Sequence, residues 1–221
     1  MRESFRKHIK DLENRITTLG KAVETAIQSS VKALQERDLE SAQKIIRDDE
    51  LINRQRWEIE EKCITLIAMQ QPVASDLREI ITILNIVTEL ERMGDHAEGI
   101  AKIVLLLGKE APVKPFTEIP VMAEKAVDML RKSMTAFIQR DAKAAEAICA
   151  MDDEVDALHD KAYSEMIQCM INQPQTITRA TYQIWAAHNL ERIADRVTNI
   201  CERTLYLATG LMTKLKNISK Y

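Results

Sequence analysis

The chain has 221 residues, of which 46% are hydrophobic, 29% charged and only 4% aromatic, with 5 Gly and 5 Pro. Leu, Ile, Val, Ala and Met carry the apolar content, which argues against a sheet protein and for an all-α one. The 31 basic and 34 acidic residues are interspersed, giving a net charge of -3 and no basic track for nucleic acid.

In chain order, the spacing of apolar residues and turn formers predicts a first helix from near Glu3 to Arg37 and a second from near Leu39 to Gln70. A third runs from near Asp76 to Leu107, with Asp38 and either Ser75 or Asp76 as N-caps. Residues 108–120 hold Pro112, Pro115 and Pro120 and form the one linker-like stretch. Three further helices follow, at about Val121 to Gln139, Ala142 to Ile171 and Ile177 to Lys216. On a helical projection of the third, Leu77, Ile80, Ile81, Leu84, Val87, Leu90, Gly94, Ala97 and Ala101 cover a broad packing arc, with Arg78, Asn85, Arg92 and His96 opposite. Short connections make neighbours antiparallel, so the expected fold is all-α, two tandem pseudo-symmetric three-helix bundles over 1–110 and 116–221.

The two halves are copies. Glu91-Arg92-Met93-Gly94-Asp95 returns as Glu191-Arg192-Ile193-Ala194-Asp195, Arg37-Asp38 as Arg140-Asp141, and Asp49-Glu50-Leu51-Ile52-Asn53 as Asp152-Asp153-Glu154-Val155-Asp156. The offset drifts from 103 to 100, which places a short deletion at the Gln71-Pro72 turn and its counterpart Gln173-Pro174.

Each copy carries a Glu-x-x-x-Asp pair on its third helix, at or within the edge of the packing arc, where carboxylates need partners. Asp49 lies 23 residues before Pro72 and Asp95 lies 23 after, while Asn53 and Glu91 lie 19 before and after. In an antiparallel hairpin equal distances mean equal height. In the second copy Asp152 and Asp156 lie 22 and 18 before Pro174, and Asp195 and Glu191 lie 21 and 17 after. Glu98 and Asn199 continue the two rows. The candidate ligand set is therefore Asp49, Asn53, Glu91 and Asp95 with Asp152, Asp156, Glu191 and Asp195.

Oxygen donors of this kind suit a hard cation, iron, manganese or magnesium, better than zinc. The residues three before His8, His96, His159 and His188 are Phe5, Met93, Asp156 and Trp185, so the Glu-x-x-His pattern of di-iron bundles is absent. The plainer alternative is a structural ladder in which Arg92 and Arg192 pair with the carboxylates. Cys63, Cys149, Cys169 and Cys201 form no C-x-x-C pair and read as reduced core residues. No stretch reaches the roughly 18 apolar residues of a membrane helix, and Met1 to Lys7 lacks a signal-peptide run, so a cytoplasmic protein without membrane insertion is expected.

The duplicated E-R-[hydrophobic]-[small]-D, preceded by D-x-x-x-[ND], resembles the PhoU family of phosphate-signalling proteins, and Pro72-Val73-Ala74-Ser75-Asp76-Leu77-Arg78 is similar to that family's Q-P-x-A-x-D-L-R turn. The second copy keeps only the proline of this turn, Pro174. The resemblance implies a non-catalytic negative regulator of the phosphate regulon, with no organic cofactor, connecting the ATPase subunit of the phosphate ABC transporter to the sensor histidine kinase. It implies a homodimer, peripheral at the inner membrane through these partners, and metal on the E-x-x-x-D patches. That role falls on Glu91, Asp95, Glu191 and Asp195, helped by Asp49, Asp152 and Asp156. Asn53 departs from the acidic pattern and supplies an uncharged oxygen, which implies weaker binding in the first copy. A metal-dependent enzyme or a metal-storage bundle is the alternative, which the absence of a duplicated His or Lys beside the clusters weakens.

Overall fold

A computed structural model describes residues 2–212. Seven helices, α1 (Arg2–Glu36), α2 (Leu39–Gln70), α3 (Ser75–Leu107), α4 (Glu118–Gln139), α5 (Ala142–Ala150), α6 (Asp152–Asn172) and α7 (Ile177–Thr209), account for nearly all of it, and no strand occurs among the described residues. They form two antiparallel three-helix units, α1–α3 and α4–α7, the middle helix of the second being broken into α5 and α6.

The matching Arg-Asp pairs explain the first turn of each unit. Arg37 and Arg140 adopt φ of 55° and 54°, the left-handed position that closes a helix. Asp38 N–H then reaches back to Ala33 O at 3.0 Å, and Asp141 N–H to Ala136 O at 2.9 Å, the six-to-one bond of a Schellman cap. The same aspartates open the next helix. The Asp38 carboxylate accepts from the backbone of Glu40 and Ser41, and Asp141 from Ala144. Two residues thus end one helix and begin another.

The boundaries differ from expectation at four places. α4 begins at Glu118 rather than Val121, because Pro120 falls in its first turn, where a missing N–H costs nothing. α3 begins at Ser75, so Ser75 and Asp76 lie inside its first turn; Ala74, at φ 49°, is the boundary residue and makes no side-chain cap. The expected helix 142–171 breaks at Met151. α7 stops at Thr209 under Gly210, whose φ of 80° only glycine adopts easily; the rest of the expected extension to Lys216 lies outside the described residues from 213 on.

The core is one cluster running through both units. α3 packs on α1, α2 and α7, α7 on α3, α4, α5 and α6, and α1 on α4. Three neighbours overturn the single arc expected for α3. Ile80, Ile83, Ile86, Val87, Leu90 and Met93 are fully buried, whereas Leu77 and Ile81 are open to solvent and His96 is half-buried against the other unit. A buried carboxylate ties the units as well: Glu79 of α3 meets Arg140 at the end of α4, and Arg6 of α1 at 3.5 Å, both half-exposed. No helix among the described residues is long and apolar enough to cross a membrane.

Candidate functional site

The acidic rows lie along α3 and α7, each flanked by the middle helix of its own unit. In the first unit Asn53 donates to Asp49 Oδ2 at 2.9 Å. Partial burial, with the charges of Asp95, Glu98 and Glu91, pushes the Asp49 carboxyl from its ordinary 3.8 to about 6. Asp95 sits at the exposed edge of α3, and partial burial of its carboxyl, with Glu91 and Glu98 beside it, raises its pKa too. The first copy is therefore a cluster of mutually repelling carboxylates.

Two cations stand at it, both outside the motifs: Lys102 donates to Glu98 Oε2 at 2.6 Å, and Arg56 comes from the middle helix. Arg56 Nη1 donates to Glu91 Oε1 at 2.7 Å while its Nε holds Glu60 Oε1 at 2.9 Å. Arg92, the expected partner, turns away to Glu89 at 3.8 Å. Arg56 lies 16 residues before Pro72, one turn from the level of Glu91, within reach of a long guanidinium. Matching heights for basic as well as acidic side chains would have found it.

The second copy is built differently. Asp152 is fully buried at the start of α6, while Asp156, Glu191 and Asp195 are half-buried on α6 and α7. Arg192 donates to Asp195 Oδ2 at 2.8 Å, the pairing that the ladder reading expected. His188 Nδ1 stands 3.4 Å from Glu191 Oε2, and burial, with His159 and Arg192 nearby, lowers the His188 pKa. Among the described residues no three His, Cys, Asp or Glu side chains converge, as they stand, into a group that could hold a metal.

Polar contacts also cross between the copies. His96 Nδ1 donates to Asn189 Oδ1 at 3.0 Å, and Glu89 accepts from Asn199 at 3.0 Å and pairs with Arg196 at 3.5 Å. Burial lowers the His96 pKa, which favours the neutral ring at this junction. None of the four cysteines forms a disulfide: Cys63, Cys149 and Cys201 are buried and Cys169 half-buried, and burial pushes the Cys63 thiol up to about 12. Grooves of about 770 Å³ between α1 and α4, and about 490 Å³ between α1 and α2, are lined by none of the eight candidate ligands.

Two antiparallel three-helix repeats, each setting a Glu-x-x-x-Asp pair beside an acidic middle helix, define a class of tandem helical-bundle protein. The chain belongs to the PhoU family: the PhoU domain model matches residues 16–104 and 119–204. The "phosphate-specific transport system accessory protein PhoU homolog" of Clostridium acetobutylicum is 38% identical, over 98% of this chain and 99% of its own. The protein of the same name from Aquifex aeolicus is 36% identical over 97% of each. The crystal structure of the phosphate transport system regulatory protein PhoU from Streptococcus pneumoniae superimposes with a TM-score of 0.89 at 34% identity, covering 95% of this chain and 99% of that one.

Proposed function

We propose that this chain is a non-catalytic accessory and regulatory protein of a phosphate transport system. It docks the transporter's ATPase subunit and a sensor histidine kinase from the cytoplasmic side, and holds the kinase's output down when phosphate is plentiful. The observation that carries this reading is the pair of acidic motifs laid on half-exposed helix faces rather than in a cavity, in a chain whose near-full-length relatives are named as transport-system accessories. Surfaces of that kind engage proteins more readily than small substrates. A homodimer would present each face twice.

The two copies differ as cation sites. In the first, Asp49, Glu91, Asp95 and Glu98 repel one another, and the Asn53 carboxamide oxygen is available beside them, so the donor set suits iron, manganese or magnesium once the side chains turn inward. A bound cation would relieve that repulsion and crosslink α2 to α3. In the second, Arg192 and His188 already stand at Asp195 and Glu191. The first copy holds cations of its own too, Arg56 at Glu91 and Lys102 at Glu98, so a metal ion would displace one in either copy.

The test compares wild type with Glu91→Ala/Asp95→Ala/Glu191→Ala/Asp195→Ala by elemental analysis of untagged protein, and by interferometry against the purified ATPase subunit and the kinase's cytoplasmic region. Partner binding by wild type, lost in a variant of unchanged helicity, is the expected result. Equal binding by both would remove the motifs from the interface, and metal in neither would reduce them to protein-docking surfaces.

A further inference from the structure

The chain leaves α7 at one end of the bundle, beside the turn between α2 and α3. Tyr206, near the end of α7, lies under the Arg78 guanidinium, 5.3 Å from ring centroid to carbon, and a Cβ on Gly210 would meet Arg78 Nη1 at 2.7 Å. Arg78 belongs to the start of α3, where its N–H donates to Ala74 O at 3.0 Å. The first turns of α1 are at the same end: Arg6 stands 3.8 Å from Asp76, and His8 lines one groove with Met69 and Gln70.

Large apolar side chains stand in solvent here. Met69 and Val73, either side of Pro72, are 72% and 74% exposed, and Leu211 and Met212, directly after Gly210, are 69% and 67% exposed. Four such side chains about one junction mark a contact surface rather than scattered surface residues.

Charge identifies what the surface contacts. Residues 213–221, which follow Met212, hold Lys214, Lys216 and Lys220 and no acid, in a chain of net charge -3. In sequence, Leu211, Leu215 and Ile218 recur at the i, i+4, i+7 spacing of one apolar helix face, the basic amphipathic pattern of a membrane-surface segment. Arg2, Arg6 and Lys7 outnumber Glu3 at the start of α1, and the two acids at the start of α3 are met by arginines, Asp76 by Arg6 and Glu79 by Arg6 and Arg140. The opposite end, where α7 begins, gives the contrast. Ile171 and Ile177 are exposed there too, but Arg179 faces Glu110 and Lys114 faces Glu165, and no basic run accompanies them.

We propose that the end of the bundle formed by the α2–α3 turn and residues 211–221 is a membrane-surface binding site for anionic phospholipid. Lys214, Lys216 and Lys220 meet the headgroups, while Met69, Val73, Leu211 and Met212 enter the boundary between headgroups and acyl chains. The protein lies on the bilayer without crossing it, and no helix among the described residues is long and apolar enough to cross. A few lysines or a few apolar side chains alone hold weakly; the two together give stable adsorption. This goes beyond the accessory reading, which concerns protein partners, and either can fail without the other.

The test is co-sedimentation of the full chain with vesicles of phosphatidylcholine alone and of phosphatidylcholine mixed with phosphatidylglycerol, with circular dichroism to confirm each variant's fold. Wild type should sediment with the anionic vesicles, stay in solution with the neutral ones, and be released by salt. At about 1 kcal/mol per lysine near an anionic surface, Lys214→Ala/Lys216→Ala/Lys220→Ala should lower the partition coefficient about a hundredfold. Met69→Ser/Val73→Ser should lower it about tenfold, and Ile171→Ser/Ile177→Ser, at the opposite end, should change nothing. Wild type that stays in solution with both vesicles, or sediments with both alike, would overturn the proposal. An equal loss in the Ile171→Ser/Ile177→Ser variant would show adsorption without a defined face and overturn it too. With no vesicle binding by wild type, a lower assembly mass in Met69→Ser/Val73→Ser would assign this end to a second copy, and lost binding to the ATPase subunit would assign it to a protein partner.

Discussion

At the scale of single residues, the first acidic patch ties stability to pH. Asp49 holds its proton more tightly in the folded chain, near 6, than at its ordinary 3.8. Its contribution is therefore most favourable below about pH 4 and is lost as pH rises through 6. Asp49→Asn should remove that slope and raise stability at pH 7 by about 1 kcal/mol, a figure reduced from the full linkage value because solvent screens a half-exposed carboxylate. Urea denaturation of the two proteins from pH 4 to 7 measures it, and parallel curves would show that Asp49 is not the titrating group. Arg56 works in the opposite sense. Arg56→Ala leaves Glu91 without its 2.7 Å partner in the same acidic cluster and should cost about 1.5 kcal/mol at neutral pH, read as a lower urea midpoint.

At the scale of elements, the middle and last helices of each unit approach through one small residue. A Cβ on Gly94 would meet Ile52 Cγ2 at 3.1 Å, and Asp49 Oδ1 and Ile52 Cδ1 each at 3.2 Å. The second repeat carries Ala194 at this position and, opposite it, Val155 in place of Ile52: one methyl added on one helix, one methylene removed from the other. Gly94→Ala gains about 1 kcal/mol of helix propensity but overpacks a buried contact by more, so a net loss of about 1 kcal/mol is expected. Ile52→Val in the same chain should recover it, and a double-mutant cycle by thermal or urea unfolding tests the coupling; additive effects would mean that the two residues do not share this contact. The sequence showed this level of organisation well where the cause is local. Arg37-Asp38 and Arg140-Asp141 mark their turns because the left-handed cap and the aspartate N-cap need only neighbouring backbone. It was silent where the cause is tertiary. The break at Met151 has no Gly or Pro beside it, and the faces of α3 depended on its having three neighbours instead of two. For the candidate site, counting from Pro72 correctly joined Asp49 to Asp95 across a hairpin, but it missed Arg56, whose reach exceeds its level, and Asn189, Glu89 and Arg196, whose contacts cross between the repeats.

At the scale of the whole molecule, duplication has not produced two independent bodies. α3 and α7, the third helix of each repeat, pack on one another at the centre, and the buried apolar residues of both repeats form one cluster. Glu79 adds a polar tie, since it is buried on α3 and both its cations, Arg6 and Arg140, come from other helices, one from each unit. Splitting the halves would expose the faces along which α3 and α7 pack on one another, and a bundle of about 100 residues has little stability to spare against that loss. The chain supplies one tryptophan per repeat to test this, Trp57 on α2 and Trp185 on α7. With Trp185→Phe and Trp57→Phe leaving one reporter each, fluorescence-monitored urea unfolding should give coincident midpoints for the two repeats, equal to that from circular dichroism. Separate midpoints would mean that the α3–α7 contact is a loose domain interface. Coincidence would mean that a partner bound on the second repeat acts on the same cooperative unit that carries the first repeat's acidic patch, so that occupancy of one face can alter the stability of the other.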